Sequence, residues 1–208
     1  MSRFTDKVGA AVADFIGRMA EPELAPIRRA TLAPARGRVL EIGAGTGFNA
    51  AHYPEAVEEI VLTEPGGELL RRAERRASAG GRRTRFVRAF AEELPFADAS
   101  FDTAVSTLVL CSVRDQDRAL AEIRRVLKPG GQLLFLEHVR AEDAKRARWQ
   151  DRLERPWRVL AMGCHPNRAT LERIEGAGFE VTDLQRGELP KSPPIVRPMI
   201  SGRAVVPA

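Results

Sequence analysis

Three glycines at alternate positions, Gly43, Gly45 and Gly47, stand between two carboxylates, and each carboxylate belongs to an apolar run: Val39, Leu40 and Ile42 around Glu41, and Ile60 to Thr63 before Glu64. Glycine at alternate positions allows backbone conformations that a side chain forbids, and lets a ligand lie directly on main-chain N–H groups at a helix start. The acids then select the ligand. An ionised Glu41 two residues before the turn repels a pyrophosphate and suits a positively charged group, while an acid at the tip of the next strand, Glu64, can accept both hydroxyls of a ribose. A dinucleotide fingerprint needs its third glycine at position 48, where Phe48 stands, and no Gly-Lys-Ser/Thr closes the loop as in a phosphate-binding P-loop.

S-adenosylmethionine (SAM), with its ribose, ammonium and sulfonium, meets these demands. Further motifs follow in order: Ala91-Glu92 with Leu94-Pro95-Phe96, then Ser100-Phe101-Asp102, then Arg125 to Gly131. With them the chain resembles a class I SAM-dependent methyltransferase from about Arg38 to the end. The resemblance implies an α/β, Rossmann-like fold with a seven-stranded, mostly parallel sheet, the last strand antiparallel, helices on both faces and a helical cap over the cleft. It also implies that the main chain near Ala91 meets the adenine and that Thr107 and Leu108 line the transferring methyl. Phe90 stands where many relatives carry Asp, which leaves Glu92 or the main chain to hold the adenine amine. S-adenosylhomocysteine would be the product, and no metal is expected.

A narrower resemblance lies in Thr107 to Val113, Leu136 to Val139, Pro156-Trp157, Gly163-Cys164 with Arg168, and Arg197-Pro198 with Gly202. These look like the membrane-associated thiol S-methyltransferases of the methyltransferase-like family. That likeness implies a small thiol as methyl acceptor, and Leu108, Trp149, Trp157, Cys164 and Arg168 are the candidate acceptor contacts, Trp149 from its place eight residues before Trp157 on one helical face. His138, at the carboxyl end of the fifth strand, and His165 are the candidate catalytic bases; a packed or cleft-lining imidazole is the rival reading for His138. A C-, O- or N-methyltransferase for a quinone, small metabolite or lipid headgroup, and a non-catalytic SAM-binding module, keep the same motifs.

The elements that must position these groups read as alternating strands and helices, which implies a mostly parallel sheet covered on both faces. The strands are expected around residues 38–42, 58–63, 84–88, 101–107, 132–137, 179–184 and 200–206. Helices are expected from the glycine loop to about Tyr53, from Gly66-Gly67 to Ala77 with Gly80-Gly81 ending it, from Asp115 or Gln116 to Leu127, and over Thr170 to Ala177. Residues 1–36 read as an N-terminal helical cap: a helix from Phe4 to Met19 with one apolar face, stopped by Pro22, and a second from Leu24 to Leu32. Residues 142–168 read as an inserted helical cap, with Trp149 and Trp157 on one face, as pocket wall or as core. All 208 residues fit one domain.

Bulk properties narrow the partners. The net charge of +5 rests on arginine, and lysine occurs only at positions 7, 128, 145 and 191. Arg71, Arg72, Arg75, Arg76, Arg82, Arg83, Arg85 and Arg88 form the densest basic stretch, but Glu68 and Glu74 interrupt it and no aromatic is interleaved for base stacking. A solvated helix face is the preferred reading over a nucleic-acid footprint. Cys111 and Cys164 lie far apart, beside no ligand-spaced cluster; neither a zinc site nor a disulfide is expected, and Cys111 reads as a small hydrophobe. No apolar run reaches the length of a membrane span and no signal peptide is visible, so a cytoplasmic protein is expected, with membrane-surface contact by the first helix as the weaker reading. The expected partner is a small-molecule acceptor; the sequence leaves the oligomeric state open.

Overall fold

A computed structural model describes residues 3–78, 81, 83–161 and 163–207; Gly80, Arg82 and Met162, with the side chains of residues 3–6, Phe4 among them, lie outside what it describes. Seven strands make one sheet: β1 (Gly37–Ile42), β2 (Val57–Thr63), β3 (Thr84–Val87), β4 (Phe101–Thr107), β5 (Leu127–His138), β6 (Glu180–Glu188) and β7 (Pro198–Val205). Their order is β3-β2-β1-β4-β5-β7-β6. Pairs among the first five are parallel, and β7 runs antiparallel to both β5 and β6. The chain steps outward from β1 to β3 and returns through β4 on the other side of β1. That reversal opens a crevice at the carboxyl ends of β1 and β4.

Side chains alternate across a strand, and the buried runs divide accordingly. Leu40, Ile42, Val61, Ala104, Leu133 and Phe135 pack on one face with Leu120, Ile123 and Val126 of α3 (Gln116–Val126) and Ile174 of α5 (Thr170–Gly176). Val39, Ile60, Leu62, Val105 and Leu134 pack on the other with Leu32 of α1 (Arg3–Leu32) and Ala73 and Ala77 of α2 (Gly67–Ser78). Asp115 caps α3 by accepting the Arg118 N–H.

The N-terminal segment differs from expectation. One helix runs from Arg3 to Leu32 through Pro22 and Pro26. Proline removes a helical N–H and crowds the carbonyl four residues back, yet here anchors on both sides hold the helix in line. Asp14 meets Arg76 of α2 at 2.8 Å, Glu21 meets His52 at 2.8 Å and Arg28 donates to Asn49 at 2.7 Å. The inward face therefore carries Ala10, Asp14, Gly17, Leu24 and Arg28, and a Cβ on Gly17 would lie 2.3 Å from the Phe48 ring. The apolar stripe of Val8, Val12, Phe15, Ile16 and Met19 faces outward, with Phe15 63% exposed.

Two further expectations are corrected. The helix after the glycine loop is a single 3-10 turn, Phe48–Ala51. The basic face of α2 is not simply solvated: Arg76 lies 4.0 Å over the Phe48 ring, bonds the Thr46 carbonyl and pairs with Asp14, which Arg72 also meets at 3.5 Å. Burial raises the Asp14 carboxyl, but the Arg76 and Arg18 hydrogen bonds outweigh it and bring it down to about 2. Among the described residues no helix is long and apolar enough to cross a membrane.

Candidate active site

The glycine loop is shaped by two close approaches and one opening. Gly43, Gly45 and Gly47 all have positive φ, at 55°, 56° and 83°. A Cβ on Gly47 would meet the Ala73 Cα at 2.8 Å, and one on Gly43 would meet Val109 Cγ1 at 2.5 Å, whereas one on Gly45 would have nothing nearer than 3.9 Å. The space above Gly45 is where a ligand can reach the main chain. Glu64 closes this end: Gly45 N–H donates to its Oε2 at 3.0 Å and Gly66 N–H to its Oε1 at 2.8 Å. Burial raises the Glu64 carboxyl and these two N–H groups pull it back, so the acid is oriented by backbone donors while each oxygen keeps a free lone pair.

Glu41 sits deeper. It is buried, accepts from Tyr53 Oη at 2.5 Å and Asn49 Nδ2 at 3.1 Å, and burial pushes it up to about 7 against the pull of Tyr53, Arg28 and Asn49. Asn49 also donates to Thr107 Oγ1 at 3.0 Å, so one amide ties the tip of β1 to the tip of β4. Arg28, Asn49 and Tyr53 have no motif in the sequence; a readable signal is only that Asn49 and Tyr53 are four apart just after the glycines.

A cleft of about 390 Å³ is lined by Gly43, Glu64, Leu69, Phe90, Ala91, Glu92, Leu108, Val109, Ser112, Val113 and Ala161, among others. Ala91 is in its wall and Phe90 stands exposed at the rim under the Arg114 guanidinium, 4.4 Å from the ring centre. Glu92 lines the cleft, but its Oε1 accepts the N–H groups of Arg114 at 2.6 Å and Asp115 at 3.3 Å, which makes it a clamp on the loop before α3. Leu108, at the end of β4, has φ +58°, a conformation costly for a branched side chain and held by its N–H bond to Leu136 O at 2.7 Å. Glu137 sets the loop that follows: fully buried, its Oε1 accepts Ser106 Oγ at 2.6 Å, Val109 N–H at 3.1 Å and Leu110 N–H at 3.2 Å.

The cap side is α4 (Ala144–Leu160) and the turn after it. Gln150 fastens it: its Oε1 accepts the Ala141 N–H at 2.7 Å, and its Nε2 donates to Pro166 O at 2.8 Å, Ile195 O at 2.9 Å and Val139 O at 3.1 Å. Arg168 grips the loop after β4 through Leu110 O and, at 2.7 Å, Val113 O. Trp149, Leu153, Pro156, Trp157 and Leu160 line an open apolar groove of about 660 Å³ with Pro194 and Ile195. Leu160 of the groove and Ala161 of the cleft wall are neighbours in the chain.

Neither imidazole expected as a base lines the cleft. His138 Nε2 lies 3.0 Å from Cys164 Sγ, and His165 Nδ1 lies 2.9 Å from Glu154. Trp157 Nε1 donates to the same Cys164 sulfur at 3.3 Å. Hydrogen bonds from Cys111, His138 and Trp157 hold the Cys164 thiol well below its ordinary range, while Cys111 is driven the other way by its contact with Cys164 and by burial. Cys111, His138 and Cys164 thus meet at one point.

A reversed parallel sheet with a glycine loop at the tip of β1 and an acid at the tip of β2 defines a Rossmann-like SAM-dependent methyltransferase, and comparison with known proteins agrees. Residues 40–135 match a methyltransferase domain family. The chain is 39% identical over 170 residues to human thiol S-methyltransferase TMT1A, covering 80% of this chain and 70% of that protein. It is 33% identical over 171 residues to a ubiquinone/menaquinone biosynthesis C-methyltransferase of Idiomarina loihiensis, covering 71% of this chain and 68% of that one. The chain belongs to the SAM-dependent methyltransferase family that includes these enzymes. Among solved structures, a SAM-dependent methyltransferase from Mesorhizobium loti superposes with a TM-score of 0.65 at 21% identity over 88% of this chain and 97% of that one. A [4+2]-cyclase reaches 0.69 at 23% over 89% and 80%. These two likenesses concern the fold alone.

Proposed function

We propose that this methyltransferase transfers the SAM methyl group to the sulfur of a small, rather apolar thiol, with the SAM bound across the tips of β1, β2 and β4. The observation that carries the cofactor placement is the Glu64 carboxylate, turned into the cleft by Gly45 and Gly66 with lone pairs to spare for two ribose hydroxyls. Open space above Gly45 fits a ligand laid against the main chain. Gly43 and Gly47 keep the loop tight, Glu41 takes the ammonium directly or through water, the main chain at Ala91 takes the adenine edge with Glu92 bracing that loop, and Thr107 and Leu108 border the methyl.

When bound, SAM supplies a methyl on a sulfonium that is already a good leaving group. The protein's part is then to hold the acceptor in line with the methyl at ~3–3.5 Å and to exclude water. A thiol asks least of such a site, because with a pKa of ~8.5 a few per cent is already thiolate at neutral pH. That suits a cleft that neither His138 nor His165 lines: both act on their own partners, Cys164 and Glu154, and neither is required as base. Trp149 and Trp157 take the apolar body of the acceptor, while Cys164 and Arg168 hold the turn beside it. Residues 142–168, with the N-terminal segment 1–36, are the caps of the cleft.

The test is turnover with a panel of thiols, phenols, amines and quinols, followed by S-adenosylhomocysteine release. Thiols with apolar bodies should turn over best. Turnover of a quinol or phenol with no thiol active would replace the thiol reading by the C- or O-methyl reading, which the Idiomarina relative represents.

A further inference from the structure

Three segments far apart in the chain bring two sulfurs and an imidazole to one point. Cys111 comes from the loop after β4, His138 from the end of β5 and Cys164 from the turn after α4, and their ligand atoms all lie within 4.8 Å of one another. Cys111 and His138 are buried and Cys164 is half-buried. The sulfur of Cys111 is otherwise placed only against weak partners, Ser112 Oγ at 3.3 Å and Leu108 O at 3.5 Å.

The imidazole is oriented on this point through Nε2, 3.0 Å from Cys164 Sγ. His138 is 5% exposed, and its Nδ1 is buried with no hydrogen-bond partner among the described residues. A buried polar ring normally has both nitrogens satisfied. Here Nε2 is the one nitrogen with a partner, and it is turned on the cluster.

We infer that Cys111, His138 and Cys164 form a three-ligand site for a thiophilic divalent cation, Zn²⁺ first, with the fourth coordination position left to an exogenous ligand. The ligand set is soft, two thiolates and an imidazole without a carboxylate, which favours Zn²⁺ over Mg²⁺ or Ca²⁺. Bond lengths of ~2.3 Å to sulfur and ~2.0–2.1 Å to nitrogen in a tetrahedron separate the ligand atoms by about 3.5–3.8 Å. The His138–Cys164 pair, at 3.0 Å, has to open by roughly half an ångström to reach that, a rotamer-scale adjustment. The Trp157 N–H on Cys164 Sγ is the supporting hydrogen bond that a metal thiolate commonly receives. Arg168, bonded to Leu110 O and Val113 O, holds the loop that carries Cys111. A cation here pins the turn after α4 to the tips of β4 and β5, next to Ser112 of the cleft wall.

The site is tested on the full chain, reduced and freed of metal by chelator, by anaerobic titration with Co²⁺ alone. Saturation of a thiolate-to-cobalt charge-transfer band at one equivalent, displaced by Zn²⁺, is expected. Cys111→Ser, Cys164→Ser and His138→Gln should each weaken Co²⁺ binding by more than about 100-fold, beyond what loss of a supporting partner does. Absence of the band, or its persistence in both serine variants, overturns the site. Because a variant can fail to fold, the wild type carries a second readout: equimolar Zn²⁺ should protect the half-buried Cys164 from iodoacetamide, read by peptide mass spectrometry. Labelling of Cys164 that is fast and indifferent to Zn²⁺ would mean a bare thiolate–imidazole pair and would also overturn the proposal.

Discussion

The two walls of the cleft are built on different principles. On the cofactor wall the contacts are main chain and carboxylate: Glu64 is held by two backbone N–H groups, Glu41 by a tyrosine and an asparagine, and Gly47 leaves no room for a Cβ against Ala73. On the cap wall α4 is fastened at few points, Gln150 and Arg168 above all, and between them offers apolar surface to solvent, with Trp149 52% and Leu160 80% exposed. Every enzyme of this class reads the same cofactor, so that wall can be rigid. The acceptor wall can change its side chains at little cost as long as its fastenings stay.

The sharpest way to break this contrast is at a fastening. Gln150→Ala removes the acceptor of the buried Ala141 N–H and the two N–H donors shared among the Val139, Pro166 and Ile195 carbonyls, at ~1–3 kcal/mol for each group left unsatisfied. Denaturant unfolding should show a loss of ~3 kcal/mol or more; a loss under ~1 kcal/mol would mean that α4 is held by its apolar contacts after all.

Next in size is a pH effect on the cofactor wall. Glu41 has an ordinary value of 4.5 when unfolded and about 7 when folded. Between those values the native state holds the extra proton, so this group makes stability fall as pH rises from 4.5 to about 7, with a slope of up to ~1.4 kcal/mol per pH unit, and leaves a constant penalty above that. Glu41→Gln should abolish that fall in urea titrations at pH 5, 6, 7 and 8. Parallel curves for the two proteins would show a carboxylate ionised throughout.

With SAM bound as proposed, Glu64→Ala removes one or two charge-assisted bonds of ~1.5–3 kcal/mol each to the ribose, and calorimetry should find SAM binding weakened about tenfold or more. Unchanged affinity would move the ribose elsewhere. On the cap wall, Trp157→Ala should raise KM for apolar thiols several-fold, about 1 kcal/mol, with affinity for SAM unchanged. An equal effect on SAM binding would erase the distinction between the walls.

Local signals made one wall legible and not the other. Strands and the glycine loop are short-range patterns, apolar runs that end in Gly or an acid, and Glu41 and Glu64 stand at the ends of β1 and β2 that those patterns mark. What depends on long-range partners could not be read. Proline at 22 and 26 speaks for a break, and only the pairing of Glu21 with His52 and Arg28 with Asn49, beyond the helix, explains why α1 continues. Arg72 and Arg76 looked solvated because Asp14 lies 58 and 62 residues away. Glu137 anchors the loop after β4 through Ser106, Val109 and Leu110, and neither it nor Gln150 carried a local signal for such a role. Cys111 and Cys164 seemed unrelated because their separation along the chain says nothing about two loops that meet over the end of β5.

The account turns on the identity of the acceptor atom, and one competition measures it directly. The enzyme is given SAM labelled with ¹³C in its methyl group, together with equal concentrations of an apolar thiol, a phenol, an amine and a quinol, and the product methyl is read by carbon NMR. The expected result is label in a thioether methyl, lost when Trp157→Ala raises KM above the thiol concentration. Label in an O-, N- or C-methyl product, with none in a thioether, would contradict the thiol acceptor.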